Sequence, residues 1–85
     1  MDGKAASISR AMAEPISKEA EIFGDNVRAA RKTAGFSQEG FAFHCGLDRS
    51  YVGQVERGEK NVTLKTIVIL AGSLELEPAV LLDGL

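Results

Sequence analysis

Arg49, Ser50 and Gln54 stand out because, on one short helix, their side chains would share a face. At about 100° per residue, a helix from Asp48 to Arg57 puts Arg49, Gly53, Arg57, Ser50 and Gln54 on an arc of roughly 140°. Every residue on that arc is polar, charged or glycine, while Val52 and Val55 fall on the opposite side with Tyr51 flanking them. One face can therefore pack and the other stays free to meet a ligand. Arginine and glutamine make paired hydrogen bonds to guanine and adenine edges in the major groove of DNA. Arg49 and Ser50 lie in the first turn, where a groove-bound helix meets the bases. Gly53 is expected to let the helix approach its ligand closely.

Such a stripe needs a support that sets its angle, and the preceding residues encode one. Phe36, Ser37 and Phe41 have the pattern of a hydrophobic residue, a capping residue and a second hydrophobic residue that folds back on the first. Leu47, Asp48 and Val52 repeat it, as do Val62, Thr63 and Ile67. Three helix starts follow from these repeats. Gly46 and Gly58 stand where a chain leaving a helix needs a left-handed residue. The segment from Phe36 to Gly58 thus reads as two short helices joined by a tight glycine turn, a helix-turn-helix.

The rest of the chain completes a bundle. A longer first helix is predicted from Lys18 or Ile22 to Ala34, with Phe23, Val27, Ala30 and Ala34 on one face and Gly35 at its end. The fourth runs from Thr63 to about Leu74, with Ile67, Leu70, Ala71 and Leu74 inward. A fifth starts at Pro78, a favoured first-turn position. Residues 1–20 read as a flexible N-terminal extension and 21–85 as the helix-turn-helix domain with a C-terminal dimerisation helix.

Composition agrees. The chain has 85 residues, 45% of them hydrophobic, and no Trp, enough for one small domain with a single core. Without strand-like alternation, an all-α fold is expected. No apolar run approaches a membrane span, and the first residues lack the apolar centre of a secretory signal, so a cytoplasmic protein with no membrane contact is expected. The single cysteine, Cys45, falls on the apolar side of its helix and is predicted to be a buried, inert thiol. Phe43, beside His44, is expected to be partly buried rather than an exposed contact for a partner. His44 has no second ligand at metal-site spacing and no glycine-rich phosphate loop follows a strand, so neither an enzyme, a metal nor a cofactor is expected.

The net charge of −2 argues against a polyanionic partner until its distribution is considered. Residues 1–27, 28–65 and 66–85 carry net charges of −2, +3 and −3. The positive charge is concentrated around the stripe, which favours binding by one face.

The runs VRAARKTAGFSQEGFA, GLDRSYVGQVERGEKNVTL and ILAGSLELEPAVLL, in that order, resemble the Cro/C1-type (Xre-like) helix-turn-helix regulators from about Ile22 to Leu82. The middle run is most similar to controller proteins of restriction-modification systems. The resemblance implies a five-helix, lambda-repressor-like DNA-binding domain that regulates transcription from double-stranded operator DNA, with RNA polymerase a further partner when it activates. It implies base contacts by Arg49, Ser50, Tyr51 and Gln54, and phosphate contacts by Gln38, Arg57, Lys60 and Asn61, with Gln38 also buttressing the reader helix. It also implies a structural ion pair between Arg31 and Glu56. Gly40 and Glu75 depart from the family pattern, the first where a capping glutamate is common and the second where a glycine often follows the fourth helix.

The excess of aliphatic residues near the C-terminus points to a second buried surface. Ile69, Val80, Leu81, Leu82 and Leu85 are the candidates for a symmetric homodimer interface, which would present paired reader helices to a pseudo-palindromic operator; the alternative is that they only close the core of a monomer. The rival reading is an antitoxin or adaptor that uses the same fold to bind protein. A pure adaptor has no need of Arg49, Ser50 and Gln54 together.

Overall fold

A computed structural model describes residues 14–85 of the chain; the part of the predicted extension before residue 14 lies outside them. Among the described residues five helices follow one another: α1 (Lys18–Thr33), α2 (Gln38–Cys45), α3 (Arg49–Glu56), α4 (Leu64–Ser73) and α5 (Pro78–Leu81). There is no strand among the described residues. The all-α architecture expected from the sequence is what forms.

Helix α1 begins at Lys18, the earlier of the two predicted starts. The hydroxyl of Ser17 accepts a hydrogen bond from the Ala20 amide at 3.0 Å, and Ala20 is buried. Residues 17–20 are therefore part of the domain, which corrects the predicted boundary at residue 20. Before the cap, the Ile16 amide donates to the Gly58 carbonyl at 2.8 Å, which ties the start of α1 to the turn after α3.

The core collects Phe23 and Val27 from α1, Phe41 and Ala42 from α2, Val52 and Val55 from α3, Ile67, Leu70 and Ala71 from α4, and Leu81 from α5. Burying each large aliphatic or aromatic side chain is worth roughly 1.5–3 kcal/mol, so each helix contributes to holding the others. Helix α1 packs on α3 and α5, and α2 on α3 and α4. Asn26 staples α1 to the C-terminal end by donating to the carbonyls of Leu81 at 2.9 Å and Asp83 at 2.8 Å.

Several expectations are corrected here. Leu81, assigned to a dimer surface, has no exposure and closes the core of this chain, because α5 is a single turn whose inward position it fills. Val80 and Leu85 are exposed, and Ile69 and Leu82 are half-buried. On α4 the outward apolar positions are Leu64 and Val68 rather than Ile69. Ala34 is exposed beyond the end of α1. Phe43, expected to be partly buried, is 87% exposed, since Phe41 and Ala42 already fill the inward side of α2. Cys45 is half-buried rather than fully buried. Burial pushes its thiol up from the ordinary value, against a weaker opposing hydrogen bond with Ser73.

The turn after α4 shows how a departure from the family pattern is accommodated. Glu75 adopts φ 58°, the left-handed conformation that a glycine would take there. For a residue with a Cβ this costs of the order of 1 kcal/mol. It lets the Leu76 amide reach the Ala71 carbonyl at 2.9 Å.

Candidate nucleic-acid interface

The turn between α2 and α3 is built by Gly46, which takes φ 73°. Its amide donates to Phe43 at 3.1 Å and the Leu47 amide donates to Ala42 at 2.9 Å, closing the carbonyls at the end of α2. Ser37 caps α2 as predicted, accepting from the Gly40 amide at 2.9 Å. Thr63 likewise caps α4. Asp48 occupies the cap position of α3 but makes no cap bond with its side chain. It accepts a hydrogen bond from the Ser50 hydroxyl instead.

The inner side of α3 is fixed by an ionic cluster as well as by its valines. The Glu56 side chain has no exposed surface. Arg31 engages it in a fork, Nε to Oε2 at 2.6 Å and Nη2 to Oε1 at 3.0 Å, and a third Arg31 bond reaches the Phe36 carbonyl at 2.9 Å. Gln38 Nε2 donates to Glu56 Oε1 at 3.1 Å. Arg28 adds Nη2 to the Glu56 carbonyl at 3.3 Å and stands 3.6 Å from its carboxylate. The predicted Arg31–Glu56 pair forms, and α1, α2 and α3 meet on one carboxylate. Burial alone would push that carboxyl up. The hydrogen bonds from Arg31 and Gln38, with the charges of Arg31 and Arg28, outweigh it and hold Glu56 below the usual carboxylate range.

On the outer side, Gln38, Arg49, Ser50, Gly53, Gln54 and Arg57 line one polar concavity of about 240 Å³. Arg49 and Ser50 are exposed and Gln54 is half-exposed. The structure thus brings together all five residues of the stripe, with Gln38 beside them. Tyr51 is half-buried against the core, so much of its ring faces inward. Lys60 and Asn61 are exposed in the loop after α3, outside the concavity.

A helix-turn-helix family model, HTH_3, matches residues 27–81, from within α1 to the last residue of α5. The chain belongs to this helix-turn-helix family. It is 52% identical over 54 residues to the control protein C.SmaI of Serratia marcescens, a match that covers 64% of this chain and 64% of that protein, just under two thirds of its length. Among solved structures, the restriction-modification controller protein C.AhdI from Aeromonas hydrophila superposes with a TM-score of 0.74 at 49% identity, covering 76% of this chain and 98% of that one. A third, the controller protein C.Esp1396I, was solved as a tetramer in complex with its natural 35 base-pair operator. It has a TM-score of 0.70 at 28% identity and covers 76% of this chain and 86% of that one.

Several residues that shape the site of this helix-turn-helix chain are not marked by the residue pattern. Gly24, in the middle of α1, lies so close to α3 that a Cβ there would meet the Val55 carbonyl oxygen at 2.4 Å and that of Glu56 at 2.6 Å. A glycine inside a helix costs about 1 kcal/mol against alanine, which is the signal that a packing reason exists. Arg28, one turn further, lies on the same stripe as Gly24 and Arg31. Gly53 is buried: the space above it holds Gln38 Oε1 and Arg57 Nη1, 3.3 and 3.1 Å from where its Cβ would lie. It makes room for side chains of this chain rather than for an approaching ligand. Glu59, also missed, binds Arg57, and that hydrogen bond raises the arginine's pKa against a weaker burial effect.

Proposed function

We propose that this chain is a sequence-specific DNA-binding transcriptional regulator of the restriction-modification controller kind. The observation that carries this reading is the outer face of α3, where Arg49, Ser50 and Gln54 stand in one polar concavity while Glu56 locks the helix from behind. A helix fixed on one side and equipped with paired-hydrogen-bond donors on the other is what base readout in the major groove requires. Arg49, Ser50 and Gln54 are the base-contacting residues, with Tyr51 reaching a thymine methyl or the backbone by its exposed edge. Gln38 touches a phosphate while its amide buttresses Glu56, and Lys60 and Asn61 supply further phosphate contacts. The family resemblance would give Arg57, which follows α3, a phosphate contact as well.

The regulator acts as a homodimer, which places two copies of α3 about one helical turn, ~34 Å, apart on a pseudo-palindromic operator. Val80 and Leu85, with the half-buried Ile69 and Leu82, are its interface residues; Leu81 is not among them. The operator-bound tetramer of C.Esp1396I supports both the DNA and the self-association readings. Where it activates, it also meets RNA polymerase. None of the described helices is long and apolar enough to cross a membrane, which accords with a cytoplasmic site of action.

The test is a fluorescence-anisotropy titration against the DNA upstream of the protein's own gene and against a scrambled duplex, at two salt concentrations. Preference for the first, weakening with salt, supports the reading. Equal or absent binding, including to duplexes enriched from a random pool, would sink it. Sedimentation that shows a monomer at micromolar concentration, with no dimer on DNA, overturns the dimer.

A further inference from the structure

We propose that Arg57 reads a base edge rather than a phosphate, and that Glu59 is the residue that orients it; this rests on the DNA-binding reading above. Arg57 is the residue just after α3, and its place in the sequence would allow its side chain to swing out to the sugar-phosphate backbone. The structure turns it the other way. Gly58 takes φ 77° and reverses the chain, so that the Glu59 amide donates back to the Gln54 carbonyl at 2.9 Å. The Glu59 side chain, only 17% exposed, then accepts from Arg57 Nε at 2.6 Å and from Nη2 at 3.5 Å. Held by that edge, the guanidinium lies back along α3. Its Nη1 sits 3.1 Å from the point a Cβ of Gly53 would occupy, one turn earlier on the helix. The cation stands in the concavity with Arg49, Ser50 and Gln54.

Two physical arguments favour a base over a phosphate. A guanidinium has five N–H donors. Glu59 takes the Nε hydrogen and one on Nη2, which leaves the end-on fork of Nη1 and Nη2, the shape that matches guanine O6 and N7. A phosphate contact draws mainly on charge, and a carboxylate 2.6 Å away cancels much of that charge. Glu59 therefore weakens Arg57 as a backbone contact while fixing its direction, which is the requirement for reading sequence. Gly53 completes the arrangement, because a side chain there would push against both Arg57 and Gln38.

The experiment measures full-length wild type, Arg57→Ala, Arg57→Lys, Glu59→Gln and Arg49→Ala on a duplex enriched from a random pool, its single-base-pair variants and a scrambled duplex, across a salt series. Arg57→Ala is expected to lower the ratio of enriched to scrambled affinity by roughly 10-fold or more, concentrated at one base pair, with the salt slope nearly unchanged. Arg57→Lys keeps the charge and does not restore the ratio. Glu59→Gln tightens scrambled binding while the ratio falls. The proposal is overturned if Arg57→Ala weakens both duplexes equally and lowers the salt slope by about 1, if Arg57→Lys restores the ratio, or if Glu59→Gln tightens both duplexes equally. Wild type that discriminates, with Arg49→Ala losing the ratio and the Arg57 variants keeping it, overturns this proposal alone. Wild type for which no duplex is enriched overturns the DNA reading and this proposal together.

Discussion

Both sides of α3 carry charged side chains and do opposite work. On the inner side Glu56 draws Arg31, Gln38 and Arg28 onto one carboxylate with no exposed surface. On the outer side Arg49 and Ser50 lie exposed, and Arg57 is 53% exposed in a pair with Glu59. A buried, forked ion pair is costly to break because the partner left behind is unpaired and dry. Exposed charges can be removed with little loss of stability. The inner side therefore governs whether the helix is held, and the outer side what it recognises.

The largest effect is expected at the inner carboxylate. Glu56→Gln leaves Arg31 without its ionic partner and should lower the unfolding free energy by about 3 kcal/mol, measured by urea denaturation; full retention of stability would contradict the account. Because Glu56 is held below the usual carboxylate range, its stabilisation is fully present above the unfolded glutamate pKa. It is lost as pH falls through the lower folded value. Glu56→Gln should accordingly flatten the dependence of Tm on pH in that acid range, relative to wild type.

Gly24→Ala comes next and sharpens the same side. A methyl there collides with backbone oxygens of α3 rather than with a flexible side chain, so α1 and α3 must move apart. Overpacking of this kind costs roughly 1–3 kcal/mol, and operator affinity should fall with it. A variant as stable as wild type would show that the two helices need not approach so closely.

Arg49→Ala breaks the comparison in the other direction. Discrimination between operator and scrambled duplex should fall by roughly 1–3 kcal/mol, while stability stays within about 0.5 kcal/mol of wild type. A large loss of stability would mean that the outer face also holds the fold. The smallest contrast concerns the two helix starts: Ser37→Ala should cost about 1 kcal/mol through the lost cap. Asp48→Ala, which removes no cap bond, should cost less than about 0.5 kcal/mol. Equal costs for the two would indicate that Asp48 caps α3 in solution.

Much of the fold was legible because its signals are local. Ser37 and Thr63 cap the helices they were expected to cap, and Gly46 and Gly58 adopt the left-handed turns their positions called for. Inward and outward positions were less legible, because they depend on what lies opposite. Leu81 looked like part of an aliphatic excess and is core, while Phe43 looked half-buried and is exposed. Asp48 has the right type for a cap, yet Ser50 two residues on takes its carboxylate.

The candidate site divides in the same way. The stripe of Arg49, Ser50 and Gln54 follows from the helical repeat alone, since residue type and spacing decide which side chains share a face. The pairing of Arg31 with Glu56 came from likeness to a family and is realised in the structure. By itself the sequence determined the helices, their short connections and the polar face of α3, all of which rest on periodicity and capping within a few residues. Only the tertiary structure decided that Arg28 joins Glu56, that Gly24 admits α3 and that Glu59 turns Arg57 back over Gly53. These depend on distances between helices, or on the path of a reversing turn, and the order of residues along one helix does not specify them.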